Sequence, residues 1–437
     1  MREKHYPDAE AHFRRLLTKR LPPGVEADTR RRLANTLDVL GKPQEAASER
    51  EQIEAIAARH PKDARAQQAW GDLLKRKHQY DAACEAYIHA LAGTHHFNKP
   101  ERATIMAKLV HANFDAGRPE ETVRWATCSL ASLPNPDIRR SMERMSGLGY
   151  SGLGEIEKAE RHYQNALRLS EADGNPKEIA EDLGILANIH YLRGQFDEAI
   201  AACREARQVF DAPSRVSYTI EAECLRDLGR FDDARAVLTQ KHLVAGLDQP
   251  LLEQRVQSAG ALCAASIEIR ADQPNTALVL IEQARKGFAA KQDVGDPWPP
   301  APQKGDDKML LWCDATRAIA LAQRGDSNAS RALHESVLNR LSGFLEDRNT
   351  VSGVYSSLGR AAFIRGDLAE SQTLFRQCLD CLPYPVSRPS AYYWLGETYL
   401  RLAETDAARE AFRQAVAPGI DSLDARRAQA RLNEMGG

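Results

Sequence analysis

The sequence predicts an all-α protein built from repeated pairs of helices, and three observations support this prediction. A small residue recurs along the whole chain at intervals of 35 to 53 residues, most of them between 37 and 41. A glycine-containing turn precedes many of these residues, as in segments 41–46, 194–199 and 229–234. Charged residues are abundant (27%) and aromatic residues few (6%), which is typical of helical proteins.

The recurring small residue marks the second helix of each predicted pair. The series is Ala9, Ala46, Ala83, Thr122, Ala159, Ala199, Ala234, Ala277, Ser330, Ser371 and Ala408. Glycine tolerates the left-handed conformation that ends a helix, and acidic residues often begin the next one. We expect full pairs at about 28–60, 65–97, 102–135, 139–174, 179–213, 215–246, 256–292, 308–346, 351–385 and 390–418. Ala83, Ala159, Ala199 and Ala408 should be fully buried where paired helices touch.

Both ends of the chain depart from the pair pattern. Residues 1–6 are too short for a first helix, so the chain opens on an unpaired helix at 7–18, ended by Leu-Pro-Pro-Gly at 21–24. This helix is either a natural cap or the continuation of an N-terminal region, and we favour the second because terminal repeats normally have a polar outer face. The pattern of residues 421–435 predicts a polar capping helix with Arg426, Arg427 and Arg431 on its outer side.

The segment 293–307, rich in proline and glycine, is the main interruption of the pattern. It divides an array at 1–292, with a partial N-terminal repeat and about seven full repeats, from an array at 308–437, with about three repeats and the capping helix. A surface loop with Trp298 packed back onto the helices is favoured. The alternatives are a hinge or a ligand for an aromatic-lined groove, because Pro-Trp-Pro-Pro favours extended geometry.

No catalytic or cofactor motif stands out. Cys378 and Cys381 form C-x-x-C at the C-terminal end of a predicted helix, where the helix dipole does not activate a thiol, so we expect packing residues. The glycines at 147–154 lack the preceding strand of a phosphate-binding loop and are expected to pack helices. His95 and His96 diverge on a helix, which favours a polar connector over a metal site. We therefore expect no catalytic residue, no cofactor and no metal.

The charge distribution indicates few special surfaces. The net charge is −2, which gives no support to global nucleic-acid or membrane-surface binding. No apolar run approaches the roughly 18 residues of a membrane helix. The eight cysteines fall within predicted helices and suggest no disulfide framework, so we expect a reduced cytoplasm. The basic residues around Arg30 are nearly balanced by nearby acidic residues, which favours a solvated surface.

Residues 392–415 show the helix pair most clearly. The marker residues are Leu395, Gly396 and Tyr399 in the first helix and Ala408, Phe412 and Ala415 in the second. This arrangement resembles the tetratricopeptide repeat (TPR), a helix–turn–helix unit with small residues where the paired helices touch. The resemblance implies a right-handed superhelix, an α-solenoid of about ten repeats with a partial N-terminal repeat and a C-terminal capping helix.

The resemblance also implies a function. In TPR proteins the first helices face a concave groove that binds a protein or a peptide, so we expect a non-catalytic scaffold or adaptor. The alternative is a regulatory TPR module of a larger effector assembly, such as a kinase, a protease or a transcriptional regulator. We expect a protein or peptide partner, and neither nucleic acid nor membrane.

The expected groove residues follow from the repeat positions. They are Arg31, Asn35, Asp38, Asp72, Lys75, His111, Phe114, Arg144, Asn188, Tyr191, Glu223, Arg226, Arg360, Phe363, Tyr393 and Glu397. Their mixed charge suits hydrogen bonds to an extended backbone, and Phe114, Tyr191 and Phe363 are candidate anchors. For Phe114 and Tyr191 the alternative is ordinary core between repeats. As groove anchors, both should tolerate replacement by alanine with little loss of stability.

Overall fold

The computed structural model describes residues 5–93, 99–132, 136–210, 215–239, 250–289, 304–345 and 347–436. Within these ranges the regular elements are helices, and no strand is present. The prediction of an all-α helical-repeat protein is therefore confirmed. The described residues form two compact units, one within 5–169 and one within 170–289 and 304–436.

The first unit begins with an unpaired helix, α1 (Tyr6–Leu17), which packs Phe13 and Leu17 against the first full pair. The helix pairs that follow are α2 (Pro23–Val39) with α3 (Pro43–Arg59), α4 (Ala64–Arg76) with α5 (Tyr80–Ala92), α6 (Lys99–Asp115) with α7 (Pro119–Ala131), and α8 (Pro136–Gly152) with α9 (Ile156–Asp173). Proline at the first positions of several of these helices suits a helix start, since its missing N–H would have no partner there.

The second unit continues the same alternation. Its elements are α10 (Pro176–Leu192), α11 (Phe196–Val209), α12 (Arg215–Asp227), α13 (Phe231–Thr239), α14 (Pro250–Arg270), α15 (Pro274–Ala289), α16 (Lys304–Arg324), α17 (Ser327–Leu341), α18 (Arg348–Arg365), α19 (Leu368–Cys381), α20 (Arg388–Arg401), α21 (Thr405–Val416) and α22 (Leu423–Glu434). Helices α10 to α21 form successive pairs, and α22 packs against α20 and α21. Each predicted pair is thus present within the described ranges.

The recurring small residues lie where paired helices touch. All of them from Ala46 to Ala408 are 0% exposed, whereas Ala9 on the unpaired α1 is half-buried. The facing position in the first helix is equally tight, because a Cβ atom at Gly396 would fall 2.6 Å from a ring carbon of Phe412. The predicted register, including the burial of Ala83, Ala159 and Ala199, is confirmed.

The turns within several pairs depend on glycine in the left-handed conformation. Gly194 and Gly229 both have φ of 77°. Where the sequence provides no glycine, Asp272 (φ 58°) and Ala403 (φ 61°) adopt the same conformation. A side chain makes this conformation costly, which explains why most turns of the array use glycine.

The interruption between the two predicted arrays is shorter than expected at its C-terminal end. Helix α16 begins at Lys304, so residues 304–307 are helical. The last proline of the segment is Pro302, and no later proline prevents residues 304–307 from joining the helix. Residues 293–303, including Trp298, lie outside the described residues, as do His95 and His96.

The cysteines and glycines singled out above are packing residues. Cys378 is buried in the last turns of α19, and burial raises the pKa of its thiol to about 12, which disfavours the reactive thiolate. All eight cysteines are free. A Cβ atom at Gly147 or Gly149 would fall 2.6 Å from a side-chain carbon of Tyr163 or Val123, respectively. These glycines let neighbouring helices approach closely.

Candidate functional site

A cavity of about 610 Å³ lies inside the second unit, and we call it the chamber. Its wall is formed mainly by the first helices of successive pairs, α10, α12, α14, α16, α18 and α20. Residues 382–387 and 422–424 complete it. Its volume falls within the range of about 300–1,000 Å³ that is usual for ligand pockets. The chamber is therefore large enough for a small ligand or part of a peptide.

Predicted groove residues from three repeats line the chamber. Asn188, Glu223 and Arg360 each stand eleven residues before the buried small residue of their pair, and Tyr191 and Arg226 stand eight residues before it. Equivalent positions of stacked repeats lie on the same side of the array. The fold thus brings these five side chains, which are distant in sequence, into one cavity.

Arg226 is held in a hydrogen-bonded group on the chamber wall. Its guanidinium donates to both carboxylate oxygens of Asp227 at 2.9 Å, to Ser266 Oγ at 2.9 Å and to the Tyr191 hydroxyl at 3.1 Å. The Tyr191 hydroxyl in turn donates to Asp227 Oδ2 at 3.1 Å. Burial and the Asp227 carboxylate raise the pKa of Tyr191 well above its usual value, so it remains a donor. The charge of Arg226 is consequently compensated within the protein.

Tyr191 is less free than expected of a groove anchor. Its ring is partly buried against a hydrophobic cluster, with its centroid 6.2 Å from that of Phe196. Truncation to alanine would remove this packing as well as the hydroxyl, so we expect Tyr191→Ala to lower the stability as well as the binding. Tyr191 contributes both to the core and to the chamber wall.

The C-terminal segment brings an acidic residue to the chamber. Asp424 is 1% exposed and accepts a hydrogen bond from Arg270 Nη1 at 2.5 Å. Arg270 Nη2 also lies 3.4 Å from Asp227 Oδ1, which links this pair to the group around Arg226. Burial by itself raises the pKa of Asp424, but Arg270 and a hydrogen bond from Ser390 outweigh burial and lower it. Asp424 is therefore ionised at neutral pH.

The same segment is fastened to the first pairs of the unit. Ile420 packs over Gly194, where an added Cβ atom would fall 2.7 Å from its Cγ2 atom. Arg426 Nη2 donates to the Leu228 carbonyl at 2.6 Å. Arg426 is exposed, as predicted for the outer side of the capping helix, but its guanidinium also joins that helix to the end of α12. This contact between the last elements of the unit and its first pairs is long-range, so local periodicity does not encode it.

Glu223 differs from the other acidic residues of the chamber. It is half-buried on α12, and within the described ranges its carboxylate makes neither a hydrogen bond nor an ion pair. Burial raises the pKa of Glu223, and Arg226 only partly opposes this because Asp227 already compensates the arginine. Glu223 therefore presents an acceptor without a resident donor.

Arg360 is the corresponding cation. Its Nη2 donates to the Ile269 carbonyl at 3.3 Å, and its guanidinium carbon lies 4.9 Å from the centroid of the Trp394 ring. Its Nε is buried, and no acceptor for it exists among the described residues. Burial and nearby Arg270 lower the pKa of Arg360 to about 9, so it is still protonated at neutral pH. In the part of the chain that the structure describes, Arg360 thus has no carboxylate partner.

The predicted groove residues of the first unit lie around a much smaller space. Arg31, Asn35 and Asp72 line a pocket of about 40 Å³, which holds little more than one or two water molecules. Asp72 accepts hydrogen bonds from the Tyr87 hydroxyl at 2.8 Å and from Lys108 Nζ at 2.6 and 2.7 Å. These polar groups largely satisfy each other, so this pocket is a weaker candidate than the chamber.

The remaining predicted residues of the first unit do not line this pocket. Asp38 pairs with the buried Arg50, and Lys75 Nζ lies 3.0 Å from Asp115 Oδ2. His111 is half-buried, and burial lowers the pKa of its imidazole. Arg144 is half-buried. Phe114 is 39% exposed, which agrees with a surface position rather than with core packing between repeats.

Three predicted residues near the C-terminus do not reach the chamber. Tyr393 is 9% exposed and packs in the core against Phe412, and Phe363 is covered by Arg401, 4.9 Å from its ring centroid. Glu397 is 9% exposed and accepts from Arg431 Nε at 2.6 Å. Helix α22 covers this side of α20, so Tyr393 and Glu397 are not available to a partner.

Sequence reasoning missed other chamber residues. Trp312 and Trp394 supply aromatic surface, Asp227 anchors Arg226, and Arg270 pairs with Asp424. Trp312 stands eighteen residues before Ser330, the small residue of its pair. Ala259 of α14 and Ser390 of α20 stand at the same distance before their own small residues and also line the chamber. The repeat register could therefore have identified it. No local signal points to the contact between Arg270 and Asp424.

Among the described residues, no group of three or more histidine, cysteine or acidic side chains is arranged to hold a metal ion. No helix in that part of the chain is sufficiently long and apolar to cross a membrane.

Solved structures similar to the chain are helical-repeat proteins. A Rap protein complexed with Competence and Sporulation Factor matches with a TM-score of 0.56 and 11% identity, covering 85% of this chain and 99% of that one. The apo form of RapI matches with a TM-score of 0.51 and 10% identity, covering 84% and 98%. A tetratricopeptide repeat protein from Parabacteroides merdae matches with a TM-score of 0.41 and 15% identity, covering 67% and 97%. No curated protein sequence matches.

Sequence families give the same classification. Models described as tetratricopeptide repeat match residues 144–214, 216–240, 353–377 and 389–417, which fall in both units. These segments contain five of the ten fully buried small residues, namely Ala159, Ala199, Ala234, Ser371 and Ala408. The chain is a tetratricopeptide repeat protein, a repeat scaffold of the protein-interaction class.

Proposed function

We propose that the chain is a non-catalytic adaptor that binds an extended segment of a partner protein, or a peptide, in the chamber of the second unit. The observation that carries this proposal is the convergence of the variable first-helix positions on one cavity of about 610 Å³. The consensus residues of a repeat array pack between helices. The variable positions of the first helices are therefore available to contact a partner.

The chemistry of the chamber wall suits a peptide backbone. Asn188 and Asn349 offer amides, and Ser352, Ser356 and Ser357 offer hydroxyl groups, which can pair with peptide N–H and C=O groups. Trp312 and Trp394 add apolar surface beside these polar groups. Large aromatic side chains dominate the binding energy of many interfaces because they bury much area at low entropic cost.

Similar solved structures support the proposal at the level of the fold. The Rap protein was solved with a bound factor, and RapI was solved without one. At 10–11% identity the likeness extends to the fold alone. A helical-repeat fold of this kind therefore accommodates a bound factor. We further propose that the chain acts in the cytoplasm, which its eight free cysteines support.

Filling the chamber tests this proposal. Peptides captured from a random short-peptide library by the full-length protein should bind Ser356→Trp at least about tenfold more weakly, because the indole occupies the cavity. The matched control is Thr373→Trp, at an exposed position of α19, which should bind like the parent protein. Circular dichroism should show both variants folded. Equal affinity of Ser356→Trp and the parent protein would place peptide binding outside the chamber and contradict the proposal.

A further inference from the structure

Among the described residues, seven charged side chains line the chamber, and five of them are compensated within the protein. The compensating pairs are Arg226 with Asp227, Arg270 with Asp424, and Lys308 with Asp347 at 2.6 Å. The two that remain are Glu223 and Arg360. Neither has an ion-pair partner in the ranges that the structure describes, although both are half-buried.

An uncompensated charge in a partly dry cavity destabilises the protein, because it loses hydration without gaining a partner. Here one acid and one base are left in the same chamber, yet no ion pair joins them. They lie on different repeats, α12 and α18, separated along the array by the first helices α14 and α16. A bound molecule with two opposite charges would compensate both at once.

We propose that the chamber selects a zwitterionic peptide whose cationic group binds Glu223 and whose carboxylate binds Arg360. This inference rests on the proposed function and specifies the ligand chemistry of that same site. The cationic group is a free amino terminus or a Lys or Arg side chain, and the anionic group is a free carboxyl terminus or an Asp or Glu side chain.

The geometry of Arg360 fits a carboxylate. Its Nε hydrogen has no acceptor among the described residues, and Nη2 has only the distant Ile269 carbonyl, at 3.3 Å. Because Nε is buried, a carboxylate would approach the two terminal nitrogens of Arg360, which can donate to its two oxygens in parallel. The Trp394 ring, 4.9 Å from the guanidinium carbon, supports the plane of the group from one side.

Glu223 is equally suited to a cation. Asn188, at the equivalent position of the preceding repeat, is exposed toward the chamber and offers an amide oxygen as a second acceptor. The neighbouring Arg226 does not compete for the Glu223 carboxylate, because Asp227 and Tyr191 already bind its guanidinium. An ammonium group donates up to three hydrogen bonds and can use both acceptors.

The test is a positional-scanning library of short peptides, prepared once with free termini and once with acetylated and amidated termini. The parent protein should enrich peptides with one cationic and one anionic group. If the same charge preferences persist in the library with acetylated and amidated termini, the charged groups are side chains; if they are lost, the groups are the termini. Glu223→Gln should lower the preference for the cationic group by about tenfold or more and keep the anionic preference, and Arg360→Gln should do the reverse.

Controls separate this specificity from a structural role. Glu205→Gln and Arg413→Gln change exposed residues of α11 and α21 and should leave both preferences unchanged. Glu223→Gln removes no ion pair, so its melting temperature should match or exceed that of the parent protein. If captured peptides show no charge preference, or if Glu223→Gln keeps the cationic preference, the inference is overturned while peptide binding stands. Capture of no peptide by the parent protein overturns the proposed function and this inference together.

Discussion

Replacing Asp424 by asparagine is expected to lower the free energy of unfolding by about 3 kcal/mol. Asp424 is 1% exposed and is held 2.5 Å from Arg270, which is itself largely buried. Asparagine keeps the shape of the side chain but leaves the Arg270 charge insufficiently compensated. Loss of one partner of a buried ion pair costs about 3–5 kcal/mol, and the residual contact of Arg270 with Asp227 at 3.4 Å places the value at the lower end.

The effect should depend on pH. The pKa of Asp424 is lowered in the folded protein, since Arg270 and a hydrogen bond from Ser390 outweigh the effect of burial. The stabilisation is therefore complete above the unfolded value of about 3.9 and is lost as the pH falls through the folded pKa. Urea denaturation at neutral pH and near pH 3 should show that the difference between the parent protein and Asp424→Asn shrinks on acidification.

The control is Asp421→Asn in the same segment. Asp421 is exposed and pairs with Arg426 at the surface, so its replacement should cost less than about 1 kcal/mol. Equal stability of Asp424→Asn and the parent protein at neutral pH would mean that the ion pair of Arg270 with Asp424 does not stabilise the fold.

Replacing Ala199 by leucine is expected to cost about 1–3 kcal/mol. Ala199 is 0% exposed and packs in a cluster with Ala187 of the paired helix and Cys203 one turn further along α11. The three extra carbon atoms of leucine have no space there unless the paired helices separate. Thermal denaturation measures the effect as a lower melting temperature.

The matched control lies two residues away on the same helix. Ala201 is exposed, so Ala201→Leu should change the stability by no more than about 0.5 kcal/mol. An unchanged melting temperature for Ala199→Leu would contradict the repeat register on which the chamber positions depend.

Local sequence patterns predicted the helices and the register because both depend on near neighbours. A small residue such as Ala199 or Ser371 is required wherever two paired helices approach, and glycine is favoured wherever the chain turns with positive φ. These requirements recur in each repeat, so they remain visible in one sequence. The same register identified Asn188, Glu223 and Arg360 as residues that face a common space.

The rest of the candidate site depends on contacts between distant parts of the chain. Arg270 and Asp424 are separated by 154 residues, and nothing near either residue indicates the other. Tyr393 was expected in the groove, but helix α22 covers that side of α20 and the neighbouring Trp394 reaches the chamber instead. Both results depend on contacts of the C-terminal elements with earlier helices of the second unit. The periodicity of single repeats does not predict such contacts.

Photo-crosslinking tests most directly whether a peptide occupies the chamber. A benzophenone amino acid replaces Asn188, which is exposed on the chamber wall, or Ala201, which is exposed on the second helix of the same pair. We expect a peptide captured by the full-length protein to crosslink to position 188 and not to position 201. Crosslinking at position 201 with none at position 188 would contradict this expectation.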